Sequence, residues 1–384
     1  MKKILILITH SLGEFDVVFP LIAQAQSERK CQFTIVITVR TIYLQFTDSR
    51  FYRYCADDLN VDVQFCQLPN KFDIGFKLLR RCLRAKFLVG LVYDFLLIAK
   101  GLAISRSLFE ADYFMHEVTN QWSTTKILYW FDKKNIFSYM HGHGITSDTI
   151  FKQKVKHARD VTYLNFHEDN RCAIKKMGFV NQEIIGYPKL MPGWKKLVQL
   201  YPADSSLTTG AVVIFTRPAN KYYMTESNYR RLLSTAYHAI RKTLGLVPIL
   251  IKNHPREDSG KALDLFHEFS FDSAVTISHE HAAVLSRDAL VTLIFWGSTI
   301  FDGLSMGKPA IEYYLEGPLF RQTEPCGSAY KKAGFHSVAS QAELELALED
   351  VARGTYRESR KLERLNKPTL GNIFGGATRT GNES

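Results

Sequence analysis

The six cysteines of this 384-residue chain (Cys31, Cys55, Cys66, Cys82, Cys172 and Cys326) are scattered, with no C-x-x-C pair or other metal-ligand spacing. A zinc module is thereby excluded and a disulfide framework disfavoured, so reduced thiols in a cytoplasmic setting are expected. No Gly/Ser/Pro tract or low-complexity run suggests disorder, and no repeat of solenoid period is present. The longest apolar stretch, "FLVGLVYDFLLI", is 12 residues with Asp94 inside it, too short to span a bilayer. The opening "MKKILILIT" starts with positive charge, but "HSLGEFD" follows its short apolar run without a small-residue cleavage site, so it reads as a buried first strand. A D-x-D-like metal motif, an RNP-like aromatic motif and a helix-turn-helix signature are also missing.

What is present is an excess of positive charge, 49 Lys and Arg against 38 Asp and Glu. Such an excess calls for a polyanionic partner: nucleic acid, anionic lipid or a phosphorylated substrate. Without a nucleic-acid motif the first is the weakest of these, and no nucleic-acid partner is expected. Lys71 to Lys100 carries seven Lys/Arg and two Asp among large aliphatics and phenylalanines. It reads either as a peripheral helix on the anionic inner face of the plasma membrane or as a core helix with snorkelling cations.

Short β-branched and aliphatic runs alternate with helical patterns, predicting an α/β protein of parallel sheets covered by helices. Strands are expected near Ile4–Ile8, Phe33–Thr38, Tyr113–His116, Ile136–Met140, Val161–Leu164 and Glu183–Ile185. The rhythm restarts at "AVVIFT", followed by a long helix over Glu226–Leu244 and the runs "VPILIK", "AVTIS", "ALVTLIF" and "PAIEYY". Two doubly wound Rossmann-like domains facing each other across a cleft are expected: residues 1–190, a linker at 191–210, a second domain at 211–354 and a tail at 355–384. In such sheets ligands sit at the carboxyl ends of strands, so strand-to-loop junctions are where chemistry should lie.

Four junctions stand out. After the first strand come His10, Glu14 and Asp16, with Gly13 loosening the loop; Asp16 caps a helix or, with the other two, faces substrate. In "FSYMHGHGITSDT" a strand delivers His141 and His143 between glycines, which leave an imidazole unobstructed as a base near neutral pH. In "LIKNHPRED", Pro255 restrains His254 at a strand end between Lys252 and Arg256, the kind of cluster a phosphate group favours. In "LVTLIFWGSTIFDGLSMGKPAIEYY", Gly297, Ser298 and Thr299 open a helix and offer hydroxyl and backbone donors to an anion. Glu312 on the next strand is placed to accept from a ribose, and Arg217 follows "AVVIFT" as a further cation.

The order of "HG", "IIGYPK" (Ile184 to Lys189), "KNHP" and "GSTIFDGLSMGKPAIEYY" resembles that in GT-B-fold transferases of bacterial surface polysaccharides. It is similar to the CDP-glycerol glycerophosphotransferases and to the CMP-sialate and CMP-Kdo transferases of capsules. The resemblance implies a glycosyltransferase moving a sugar from a CMP- or UDP-linked donor to a hydroxyl of a capsule or lipopolysaccharide glycan. It also implies donor binding by the carboxyl-terminal domain, with His254, Ser298 and Thr299 on the donor phosphate, and no bound metal or cofactor. The base maps to His141 or His143, ambiguously, because "HGHG" stands where those enzymes have a single His-Gly followed by Thr-Pro. Many GT-B transferases place the base on the first loop, which keeps His10, Glu14 and Asp16 as rivals. "FPLI" after that loop is similar to epimerases acting on UDP-N-acetylglucosamine, so epimerisation and CDP-polyol phosphotransfer stand as alternatives.

Overall fold

The first strand, β1 (Lys2–Ile8), is buried over its last five residues, on both faces, as a central parallel strand covered by helices must be. The computed structural model describes residues 1–28, 31–67, 110–118, 135–140, 154–155, 157–203, 209–219, 224–255, 257, 260–269, 274–324, 327–357, 369–370 and 373–374. His141, His143, Arg256 and the Lys71–Lys100 segment lie outside these residues.

The chain divides into two units, the first comprising 1–141, 151–185 and 369–384, the second 142–150 and 186–368. In the first unit β1 is followed by β2 (Cys31–Ile37), β3 (Asp62–Phe65), β4 (Tyr113–Glu117), β5 (Ile136–Tyr139), β6 (Thr162–Asn165) and β7 (Asn181–Ile184). They form one parallel sheet in the order β3-β2-β1-β4-β5-β6-β7. Leu5, Leu7, Val36, Phe114 and Ile136 carry the core against one face, with Tyr163, Met177 and Phe179 packed onto them.

The second unit repeats the plan with β8 (Val212–Phe215), β9 (Ile249–Lys252), β10 (Val275–Ile277), β11 (Val291–Ile294), β12 (Ala310–Tyr313) and β13 (Ser337–Val338). The order is β10-β9-β8-β11-β12-β13, again all parallel. The helix Glu226–Leu244 begins where Thr225 accepts from the Asn228 amide and ends with Arg241 and Lys242 in its last turn, each charge at the favoured end. It buries Tyr229, Leu233, Ala236 and Ile240 against β8 and β9. The helix Ile300–Ser305 lies flush on β11 and β12: a Cβ at Gly303 would meet Thr292 Oγ1 at 2.5 Å and Ala310 Cβ at 3.0 Å.

Both sheets change winding direction once, between β1 and β4 and between β8 and β11, which makes each a doubly wound Rossmann-like sheet. The boundary falls at Ile185/Gly186, earlier than the sequence suggested, and the expected linker holds a helix, Pro192–Leu200. Pro192 occupies its first position, where a missing N–H costs nothing. The tail packs as part of the first unit: Thr369 N donates to Ile185 O (3.1 Å), and Leu370, Ile373 and Phe374 are buried. Phe374, at φ +58°, sets its ring edge-on to Phe33, Tyr113 and Phe137 at 5.6–5.9 Å.

Candidate functional site

At the winding reversal of the first sheet, β1 and β4 run side by side with Leu7 opposite His116, so the loop after β1 leaves the sheet beside Glu117. That loop is folded around Glu14. Its Oε1 accepts from the amides of Thr9 (3.0 Å), His10 (2.5 Å) and Ser11 (3.0 Å), and its Oε2 from Tyr139 OH (3.2 Å). Tyr139 is buried and held neutral: burial pushes its phenol up, and Glu14 adds to the rise. The folded loop presents His10 with Nδ1 at 2.6 Å from Thr9 Oγ1 and 3.0 Å from Glu117 Oε2. The His10 side chain is 32% exposed and the Glu117 side chain 7%. A buried carboxylate 3.0 Å from Nδ1 stabilises the ring when it is protonated, an arrangement suited to a general base.

The other first-loop candidates have different work. Glu14 is 0% exposed and committed to the loop it folds, so it is not the base suggested by its position in the sequence. Asp16 lies in the first turn of the helix Phe15–Glu28 and accepts from Tyr52 OH at 2.8 Å, a tie to the helix Arg50–Asp58. Glu117 was not singled out from the sequence; its signal was an acidic residue closing the apolar run "YFMHE". The neighbouring His116 is buried, bonded to Ser138 Oγ (2.8 Å) and the Glu117 carbonyl (2.6 Å), and burial lowers its pKa to about 4, so it stays neutral. Ligand atoms of His10, Glu14 and Glu117 lie within 4.8 Å of one another and offer a cation three donors, although Glu14 already accepts four hydrogen bonds.

The reversal of the second sheet is bridged by Arg217, which follows β8. Its Nη1 donates to the carbonyl of Trp296, after β11, at 2.6 Å, and its guanidinium lies 4.5 Å from the centre of the Trp296 ring. Trp296 has φ +52°, a conformation a bulky residue adopts at some cost and one that clusters at ligand sites. Gly297, Ser298 and Thr299 follow, partly exposed, and the next helix runs only six residues, with no side-chain cap from Thr299. Attraction for an anion there rests on Arg217 and the backbone donors, because so short a helix has little macrodipole. Beside this turn lies a small apolar recess walled by Phe295, Trp296, Tyr313, Tyr314, Phe320 and Met224.

His254 and Pro255 follow β9, which lies on the other side of β8 from β11, with Phe215 paired to both Lys252 and Ile294. Neighbouring parallel strands are about 4.8 Å apart, so the His254 and Ser298–Thr299 junctions leave the same edge two strand spacings from each other. The β9 junction is organised by Glu257, which the sequence reading overlooked. It accepts from Thr216 Oγ1 (2.5 Å), from the His254 amide (3.2 Å) and from Tyr229 OH, tying the loops after β8 and β9 together. Lys252 donates to the His279 carbonyl at 2.9 Å.

Glu312 corrects an expectation. It is wholly buried on β12 and accepts from Ser328 Oγ at 2.6 Å, so it faces a protein hydroxyl and not a ribose. Burial pushes its pKa from 4.5 to about 7, with Glu324 adding to the rise and the Ser328 hydroxyl and Lys331 opposing it. The folded state therefore holds this proton more tightly than the unfolded chain. The stabilisation is complete below about pH 4.5 and is lost as pH rises through about 7. The Glu312→Gln variant should lack this pH dependence; urea unfolding at pH 5 and pH 8 should show the parent losing about 3 kcal/mol relative to it. Equal losses in the two proteins would contradict the buried proton.

No helix among the described residues is long and apolar enough to cross a membrane. No protein-family model matches the sequence, and no characterised protein matches it significantly. Solved structures do match in fold. A UDP-N-acetylglucosamine 2-epimerase, described as putative, from Listeria monocytogenes superposes with TM-score 0.59 at 10% identity, covering 98% of this chain and 93% of that one. S. aureus MnaA in a structure with UDP gives 0.56 at 10% identity, with the same coverage. Anabaena HepE, in complex with UDP and glucose, gives 0.54 at 10% identity, covering 95% and 94%. With two parallel doubly wound sheets and these likenesses over nearly the whole chain, the fold is GT-B, built of two Rossmann-like domains.

Proposed function

We propose that the chain is a nucleotide-sugar enzyme: a glycosyltransferase that takes a sugar from a UDP- or CMP-linked donor and passes it to a hydroxyl of a capsular or lipopolysaccharide glycan. The observation that carries this reading is the His10–Glu117 pair, a partly exposed imidazole backed by a buried carboxylate at the winding reversal of the first sheet. A base so placed takes the proton of an attacking hydroxyl, and Glu117 stabilises the imidazolium that forms. In the second unit Arg217, with the backbone and hydroxyl donors of Gly297–Thr299, meets the negative charge that collects on the departing phosphate. His254 supports the same group from the adjoining junction, and the apolar recess beside Trp296 offers a wall for a ring of the donor to pack on. The fold neighbours solved with UDP support a uridine donor over a cytidine one.

A second reading, epimerisation of the sugar on its nucleotide, is favoured by the epimerases among those neighbours. In it His10 and Glu117 exchange a proton at a sugar carbon and no acceptor is consumed. The protein incubated with UDP- and CMP-sugars and followed by NMR separates the two. Transfer releases free nucleotide only when an acceptor glycan is added, whereas epimerisation yields a second nucleotide sugar without one. No change in any nucleotide sugar under either condition would overturn both. Arg217→Ala is expected to raise the Kd for UDP by about 10- to 100-fold in calorimetry, the loss of one charge-assisted phosphate contact. An unchanged Kd would remove Arg217 from the site.

A further inference from the structure

The helix that follows the Gly297–Thr299 turn is gripped from behind by residues 186–189 of the same unit. Gly186 turns the chain with φ +71°, and Tyr187, Pro188 and Lys189 come next. The ring of Tyr187 stacks on Phe301 with centroids 4.1 Å apart and planes 24° from parallel. Lys189 Nζ meets Asp302 Oδ2 at 2.8 Å; Asp302 is 0% exposed and Lys189 8%. Phe301 and Asp302 are also the residues whose amides donate to the carbonyls of Ser298 (3.1 Å) and Thr299 (3.0 Å). On its opposite side the helix cannot shift toward the sheet, because Gly303 already sits against Thr292 and Ala310.

A buried ion pair of this kind is a weak source of stability, since desolvating both charges offsets their attraction. It does fix geometry. The turn has a strained residue in front, Trp296, and no side-chain cap at Thr299, and two of its carbonyls are held by the amides of Phe301 and Asp302, so its geometry depends on where that helix sits. We infer that Tyr187 and Lys189 are positioning residues for the Gly297–Thr299 turn. Acting through Phe301 and Asp302, they hold its donors in the arrangement that receives a nucleotide's phosphate groups. The inference rests on the donor-binding reading of the second unit. It extends that reading to the segment "GYPK" (186–189), which acts on the turn through Phe301 and Asp302. Preorganised donors bind more tightly because their ordering is completed before the ligand arrives.

The test is the double variant Lys189→Met, Asp302→Leu, which replaces the pair by apolar side chains of similar volume and should leave the protein folded. In the variant without ligand, amide hydrogen exchange over residues 297–303 is expected to speed up at least tenfold. The Kd of UDP should rise at least tenfold while that of uridine changes less than twofold, because only the phosphate contacts depend on the turn. Lys189→Arg, which keeps the charge pair, should retain wild-type exchange and affinity. Tyr187→Leu, which removes only the stacking, should move exchange and UDP affinity in the same direction as the double variant. A folded double variant with wild-type exchange, or one with faster exchange but unchanged UDP affinity, would overturn the inference, as would equal losses for UDP and uridine. Wild-type protein that binds neither UDP nor CMP contradicts the donor reading, and is seen before any variant is compared. The exchange measurement then decides the positioning role by itself.

Discussion

His10→Ala is expected to lower turnover of a nucleotide-sugar substrate by about 10²–10⁴ while leaving the Kd of UDP within about twofold. The imidazole is the exposed member of the first-sheet pair, and its removal leaves the Glu14-centred loop intact because the amides of Thr9, His10 and Ser11 still donate to that carboxylate. Glu117→Gln should fall in between: the amide keeps the shape but loses the charge that stabilises a protonated His10. Its profile of rate against pH should change in shape as well as height, which a merely structural role would not produce. Chelation bears on the same side chains. Activity that survives exhaustive EDTA treatment is the expected outcome for a base, whereas activity abolished by EDTA and restored by a divalent cation would assign His10, Glu14 and Glu117 to a metal instead. Wild-type turnover in His10→Ala would remove His10 from the chemistry and return attention to His141 and His143.

The second large effect is structural. Phe374→Ala is expected to destabilise the first unit by about 3–5 kcal/mol, the usual cost of emptying a buried phenylalanine site. The ring is 2% exposed and meets three aromatic partners from β2, β4 and β5, so its loss opens a cavity against the sheet. Chemical denaturation followed by hydrogen exchange of first-unit and second-unit peptides would locate the loss. It should fall on peptides of β2, β4 and β5 and spare those of β8 to β12. Unchanged protection in the first unit would show that the tail contributes nothing there.

Much of the fold could be read from the chain because central parallel strands are continuous apolar runs, and each such run of the second half appears as a strand. What escaped reading was whatever lacks that signature. β3, "DVQF", is a half-exposed edge strand, and β13 is two residues long. The helix Pro192–Leu200 lies within the expected linker, and a proline starts it. In the tail, Leu370, Ile373 and Phe374 are isolated apolar residues with no run or period to mark them, yet they are buried.

The candidate site divides in the same way. His10 and Arg217 were legible as polar residues directly after strands. Glu117, Glu257 and Asp302 were not, because what distinguishes them is a partner brought close by topology: His10 across β1 and β4, Thr216 across β8 and β9, and Lys189 from a segment more than a hundred residues away. Glu312 shows the converse. Its place after an apolar run suggested a ligand contact, but strands on both sides and the Ser328 hydroxyl enclose it.

The most direct measurement is a structure of the protein with UDP bound. The expected result is the diphosphate against the Arg217 guanidinium and the Gly297–Thr299 turn, at the winding reversal of the second sheet. A nucleotide bound elsewhere on the chain, with that edge empty, would contradict the assignment of a donor site to the second unit.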